Sequence, residues 1–368
     1  MAAIAFEPPY CKMDTTPFRV LLLARPATGG LRAHIVELAR RLDPAICRAR
    51  ICGPDEFIIS LPPDLQGTAT AVCPVAARLS PSDLHAALQL RRILAEPGKD
   101  IPTIVHAHGL RAAWVASLAH VAFSFPIVVT LHNVPPSGAL STLVLRFLAR
   151  SASRTICVSE AIKLQLTTPA TVIPNGVEIE RYRNLDRDGS RALLGIGQSE
   201  FLIGCIARLS YEKGVDVLVA AALLLPDVTV VIAGDGPEKE LLQEAVPKNV
   251  RFIGRQDSIL PLLAAADIIA VPSRSEGQGI VALEALASNR AVVASNVGGL
   301  PEMIRHEVNG LLVQPDNPVL LAEALRRLKS DPQLRKKLAD SGYEYAARHG
   351  DIDQRVREIE RVYMDVLA

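Results

Sequence analysis

Apolar runs of strand length alternate with amphipathic stretches of helix length, and this alternation occurs in two series separated by one break. RVLLLA (19–24) is continuously apolar, as a strand buried on both faces must be. After the loop RPATGG, LRAHIVELARRL (31–42) repeats its apolar residues at helical spacing. The pattern returns at TIVHAH (103–108) with RAAWVASLAHVA, at PIVVTLH (126–132), and at RTICVS (154–159) with EAIKLQL. Residues 174–200 break it with a stretch rich in Gly, Asn and charge that reads as a linker. A second series follows: FLIGCIARL (201–209), VTVVIAGD (228–235), VRFIG (250–254), DIIAVPS (267–273), AVVAS (291–295) and GLLVQP (310–315). Such alternation specifies an α/β fold, a parallel sheet flanked by helices. Two series imply two domains, and 368 residues suit two ordinary cores. The expected division is a disordered tail over 1–17, a first domain over 18–182, a linker over 183–197 and a second domain over 198–349. A final helical stretch within 350–368 comes after the second sheet is complete.

Charge narrows the partners. Lys plus Arg number 40 and Asp plus Glu 39, so no global field draws nucleic acid. The six cysteines form no CxxC pair and several lie in apolar runs, which reads as reduced core thiols in a cytoplasmic protein. No apolar run reaches the ~18 residues of a membrane span, and the N-terminus lacks the basic start and long apolar core of a signal peptide. Arg146, Arg150 and Arg154 recur every fourth residue in STLVLRFLARSASR. If helical, they form either the solvated face of a core helix or a basic stripe for an anionic membrane.

Ligands of parallel sheets bind beyond the carboxyl ends of the strands. In SRSEGQGIVALEALA (273–287), a strand ends in a loop bearing Glu276, Gly277 and Gly279, and a helix begins. The free N–H groups of Gly279, Ile280 and Val281 with the helix dipole make an anion site. Glu276 precedes it and Glu284 lies along the helix, so two carboxylates flank a place for a diphosphate. An ordinary βα loop with surface acids is the plain alternative. Arg208 and Lys213, in CIARLSYEKG, end another strand as a natural diphosphate clamp, or as a solvated loop. Gly29 and Gly30 open the first helix, which carries His34. Neither GxGxxG nor a P-loop occurs, which argues against a dehydrogenase or an ATPase. His106 and His108 leave one strand end; alternation is read as sending them to opposite faces, one to the cleft and one to the core. His132 is a further cleft candidate. No carboxylate or cysteine completes a metal set beside them, so no metal is expected. Two DxD matches, Asp186–Asp188 and Asp351–Asp353, follow no strand and are discounted.

These strings resemble the retaining glycosyltransferases of family 4, from about residue 18 to 368 and in the same order. EGQGIVALEALA resembles their E-x7-E element, IARLSYEKG their donor clamp and ATGGLRAHIVELARRL their first Gly-Gly loop. VVTLHN, CVSE, VIPNGVE, AGDGPE, VGGLPEMI and NGLLVQP fall where that family has similar strings. The resemblance implies a GT-B fold: two Rossmann-like domains facing across a cleft, the first binding acceptor and completed by the C-terminal helix, the second binding donor. It implies that Glu276 holds the donor sugar's hydroxyls and Glu284 the ribose. Arg208 and Lys213, with the backbone near Gly30 and Gly279, would neutralise the diphosphate. His108 would lie beside the sugar, and Arg255 near the base. The donor would be a nucleotide diphosphate sugar, UDP being commonest and GDP the alternative. The acceptor would be a sugar, a lipid-linked or a small molecule, with retention and without a cofactor or metal. Gln278 departs from the family, which often has an aromatic residue there. Another GT-B enzyme, such as an epimerase or phosphorylase, or a non-catalytic assembly partner, is the competing reading.

Overall fold

The computed structural model describes residues 17–368 apart from 28, 67–69, 97–100, 122, 136, 137 and 245. The expected tail, except Pro17, lies outside the described residues.

The first sheet contains β1 (Phe18–Leu23), β2 (Cys47–Gly53), β3 (Thr70–Val72), β4 (Thr103–His108), β5 (Ile127–Leu131), β6 (Arg154–Cys157) and β7 (Thr171–Val172), in the order β3-β2-β1-β4-β5-β6-β7. The second contains β8 (Leu202–Ile206), β9 (Thr229–Ala233), β10 (Val250–Gly254), β11 (Ile268–Val271), β12 (Ala291–Ser295) and β13 (Leu311–Val313), in the order β10-β9-β8-β11-β12-β13. Every described pairing is parallel. In each sheet the winding reverses once, between β1 and β4 and between β8 and β11, and the crevice at that point is where such sheets take ligands.

The continuous apolar runs are explained by burial on both faces. Along β1, Leu21 and Leu23 enter one core with Val105 and Ala107, while Val20 and Leu22 enter the opposite core. That second core is closed by the helix Ile352–Leu367, which buries Val356, Ile359 and Tyr363 there. The chain reaches it from the helix Pro332–His349, packed against Leu286 of the second domain. Val177 marks the crossing: its N–H donates to the Gly350 carbonyl at 2.7 Å and its carbonyl accepts from Ile352 N at 3.2 Å. A Cβ on Gly176 would stand 2.5 Å from the Ile352 Cα, so the two backbones touch there.

The stretch 183–197 holds the helix Arg187–Leu194, capped by Asp186, whose side chain accepts from Gly189 N. Arg191 anchors it to the second domain although fully buried. It pairs with Asp267 at 2.8 Å and donates to the carbonyls of Gly197, Glu200 and Ala265. A charge that reads as solvated from sequence is thus neutralised inside.

Candidate active site between the domains

The carboxyl ends of β1 and β4 face those of β8 and β11, and the two domains touch through residues without side chains. A Cβ on Gly30 would lie 2.8 Å from Ile280 Cγ2, and one on Gly277 only 1.9 Å from the His132 carbonyl oxygen. Beside them the Gln278 amide oxygen accepts from both the backbone N–H and the side chain of Asn175, at 2.6 and 2.7 Å. Glu302 reaches over to accept from Glu160 N and Ala161 N at 2.9 and 2.7 Å. Gln278, Asn175 and Glu302 are residues the sequence reading gave no role. Their signal is only that each sits beside a recognised string.

On the second domain, Arg208 stands exposed two residues beyond β8. Lys213 follows on a single 3-10 turn, ended by Gly214 at φ 60°. Lys213 Nζ pairs with Glu276 Oε1 at 2.6 Å, and Ser273 Oγ donates to the same oxygen at 2.9 Å. Glu276 Oε2 takes part in neither contact. Gly279, at φ 87°, turns the chain into the helix Ile280–Ala287. A Cβ there would meet Leu300 at 2.5 Å, so glycine is demanded twice, by torsion and by space. The first acceptor of that helix, the Gly279 carbonyl, serves Ala282 N, and no acceptor meets the N–H groups of Gly279, Ile280 or Val281 among the described residues. Glu284, one turn on, accepts from the Tyr182 hydroxyl at 2.9 Å. Burial pushes its carboxyl up to about 7, against that hydrogen bond and the positive Arg181. Arg255, exposed after Gly254, faces the field of Arg32 on the first domain. Gly29, at φ 59°, has open space around it.

The histidines require a correction. His106 and His108 lie on one face of β4, with ring centroids 4.2 Å apart and both fully buried. Residues two apart on a strand share a face, so opposite orientations were never available to them. Their difference is depth along the strand. His106 is bound by the Tyr363 hydroxyl at 2.6 Å and Thr130 Oγ1 at 2.7 Å. His108, at the strand's end, touches His132 Nε2 through Nδ1 at 3.3 Å, and its Nε2 has no partner. Neither nitrogen of His34 is paired at good hydrogen-bond geometry, with the Asn175 side chain as its polar neighbour. Burial pushes His34 down to about 4, with the Asn175 amide opposing, and His106 to about 3; His108 and His132 lie well below the ordinary range for the same reason. All four are neutral near pH 7. His34, His108 and His132 bring ring nitrogens within 4.8 Å of one another, an imidazole-only set that includes no carboxylate or cysteine. The DxD acids, by contrast, serve the fold: Asp186 and Asp351 cap helices and Asp353 pairs with Arg41 at 2.9 Å.

Residues 28–181 match Glycosyltransferase Family 4, and residues 186–345 match Glycosyl transferases group 1. An uncharacterized glycosyltransferase of Methanocaldococcus jannaschii is 30% identical over 311 residues, covering 76% of this chain and 80% of that one. The chain belongs to glycosyltransferase family 4. A D-inositol 3-phosphate glycosyltransferase of Mycolicibacterium gilvum is another relative of this family 4 enzyme, 30% identical over 350 residues, 82% of this chain and 78% of that one. The crystal structure of Anabaena Alr3699/HepE, in complex with UDP and glucose, superposes with a TM-score of 0.83 at 23% identity, covering 95% and 100% of the two chains. The fold of this family 4 glycosyltransferase is therefore GT-B.

Proposed function

We propose that this glycosyltransferase moves a sugar from a UDP-sugar to an acceptor hydroxyl with retention at the anomeric carbon, and does so without a metal. The observation that carries the reading is the convergence of Lys213, Glu276 and the unpartnered N–H groups of Gly279–Val281 at one end of the second sheet, with Arg208 beside them. As the bond from the anomeric carbon to the diphosphate breaks, its electron pair leaves with the phosphate oxygen. Fixed positive groups there stabilise the growing charge, and their orientation is set before the reaction. The acceptor oxygen attacks the same face, and its proton passes to the departing phosphate. Glu276, tethered through Oε1, offers Oε2 to the sugar's hydroxyls; Glu284 takes the ribose, and His108 Nε2 meets the sugar from the other domain. Arg255 lies by the base. UDP is favoured over GDP by the Anabaena structures, which hold UDP and UDP-glucose. The five described cysteines are free and buried, in keeping with a reducing cytoplasm. Arg146 and Arg150 are exposed on the helix Ala139–Ser151, which packs Phe147 and Leu148 inward. Arg154 lies past its end on β6, so a peripheral membrane contact would rest on two arginines rather than three. Among the described residues no helix is long and apolar enough to cross a membrane.

The test is calorimetric binding of UDP and GDP, followed by turnover of UDP-sugars over an acceptor panel with the product anomer read by NMR. Arg208→Ala and Lys213→Ala should each weaken UDP binding by ~1.5–3 kcal/mol, the worth of a charge-assisted contact. Turnover should survive EDTA; loss under EDTA, restored by a divalent ion, would turn attention to the three histidines. Conversion of donor without acceptor would indicate an epimerase instead.

A further inference from the structure

Arg25 carries a charge that no carboxylate among the described residues answers. It stands two residues beyond the end of β1, and Gly109, from which the helix Leu110–His120 and its Arg111 begin, stands one beyond the end of β4. Leu23 is level with Ala107 across these strands, so Arg25 and Gly109 are level at the point where the first sheet reverses its winding. The Arg25 side chain is half-buried, donates only to the neighbouring Pro26 carbonyl at 3.1 Å, and has no carboxylate partner among the described residues. Its charge is disfavoured first by burial, then by Arg208 of the second domain and by Arg111. Arg111 is held firmly: Nε donates to the Ala76 carbonyl at 3.1 Å and Nη2 pairs with the buried Asp83 at 2.6 Å. Its Nη1 is buried with no partner. A half-buried guanidinium without a counter-ion, lying in the field of Arg208 and Arg111, and a second with an orphaned buried nitrogen both cost free energy. An anion placed between them removes that cost. The donor's diphosphate already has Arg208, Lys213 and a helix N-terminus on the second domain, whereas Arg25 and Arg111 belong to the first.

We infer that Arg25 and Arg111 form an acceptor subsite for a phosphate group, so that the acceptor is a phosphorylated molecule rather than a neutral glycan. Planar guanidinium forks fit phosphate oxygens in pairs. This rests on reading the cleft as a transferase site. The phosphate could belong to a soluble sugar phosphate or to a phospholipid headgroup, and the experiment separates the two.

The full chain, saturated with UDP, is titrated with inorganic phosphate, glucose 6-phosphate and glucose, and followed by melting temperature and calorimetry. It is also sedimented with phosphatidylglycerol and phosphatidylcholine vesicles. The phosphates are expected to raise the melting temperature beyond the UDP effect, and glucose is not. Arg25→Ala should raise the apparent Kd for glucose 6-phosphate ~10-fold or more, the equivalent of one charged hydrogen bond. Arg25→Lys should fall between, having charge without the fork. Arg111 also anchors Asp83, so Arg25 variants are decisive. Binding to phosphatidylglycerol that depends on Arg25, with no response to glucose 6-phosphate, assigns the phosphate to a lipid; the reverse assigns it to a soluble acceptor. An equal response in native and Arg25→Ala chains, no response to any phosphate, or competition of phosphate with UDP overturns the inference. Failure of the native chain to bind UDP at all is a different result and sinks the transferase reading itself.

Discussion

His106 and His108 sit in one stack yet differ in what holds them. His106 has both nitrogens engaged by the fold, by Tyr363 and Thr130. His106→Ala strands two buried hydroxyls and should cost about 2–4 kcal/mol in unfolding free energy, with turnover per folded molecule largely kept. His108, at the end of β4, has a buried Nε2 without a partner. His108→Ala should lower turnover far more than UDP affinity, because the diphosphate groups lie on the other domain. A stable but inactive His106→Ala chain beside an active His108→Ala chain would reverse these roles. Glu284 gives a pH signature. Its folded pKa of about 7 exceeds the ordinary 4.5, so the folded chain binds this proton more tightly. Its contribution to stability is therefore full below 4.5 and fades as pH rises through about 7. The carboxylate formed on that rise accepts hydroxyl hydrogens as charge-assisted bonds. UDP affinity should thus climb more steeply between about pH 6 and about pH 8 in the native chain than in Glu284→Gln, where only the nucleotide's own ionisation remains. Equal slopes would remove Glu284 from the nucleotide site.

At the scale of elements, the first helix and the helix Ile280–Ala287 meet end to end, with Gly30 against Ile280. Gly30→Ala puts a methyl group 2.8 Å from Ile280 Cγ2, and the domains must part by a few tenths of an ångström or more. Turnover should fall ~10-fold while UDP binding, most of whose proposed contacts belong to the second domain, is largely retained. Ile280→Ala in the same chain should recover much of the loss. A fully active Gly30→Ala chain would mean that this close approach is not part of the working state. The first-loop glycines were legible as a helix start, but what they touch was not: Gly30 lies against Ile280 of the facing domain. Gln278 is similar. Its departure from an aromatic residue stands out in sequence, and only the structure pairs it with Asn175, 103 residues away. The strand period of two was legible too, and the error over His106 and His108 came from misapplying it, not from any missing information.

Across the whole molecule, the last helix of the chain completes the first domain. Deleting 352–368 would expose the core positions of Val356, Ile359, Val362 and Tyr363. At ~1.5–3 kcal/mol for each buried side chain, their loss approaches the entire stability of an ordinary domain. The truncated chain should keep one unfolding transition, raised by UDP, and lose the first domain's own; retention of both transitions by calorimetry would contradict this. The sequence by itself determined the α/β class, the two strand–helix series, four of the seven strands of the first sheet (the short or less apolar β2, β3 and β7 were not read from it) and all six of the second, and the strings that place the chain in its family. These are local properties: apolar period, turn residues and helix starts are decided by neighbours a few positions apart. The tertiary structure alone decided which groups meet. Lys213 and Glu276 lie 63 residues apart, His106 and Tyr363 257 apart, and Arg25 and Arg208 belong to different domains. No spacing along a chain encodes such distances, because they are set by how two finished sheets pack and face each other. The charge on Arg25 reads as solvent-exposed in one dimension, and only the fold half-buries it near Arg208 and Arg111 with no carboxylate partner among the described residues.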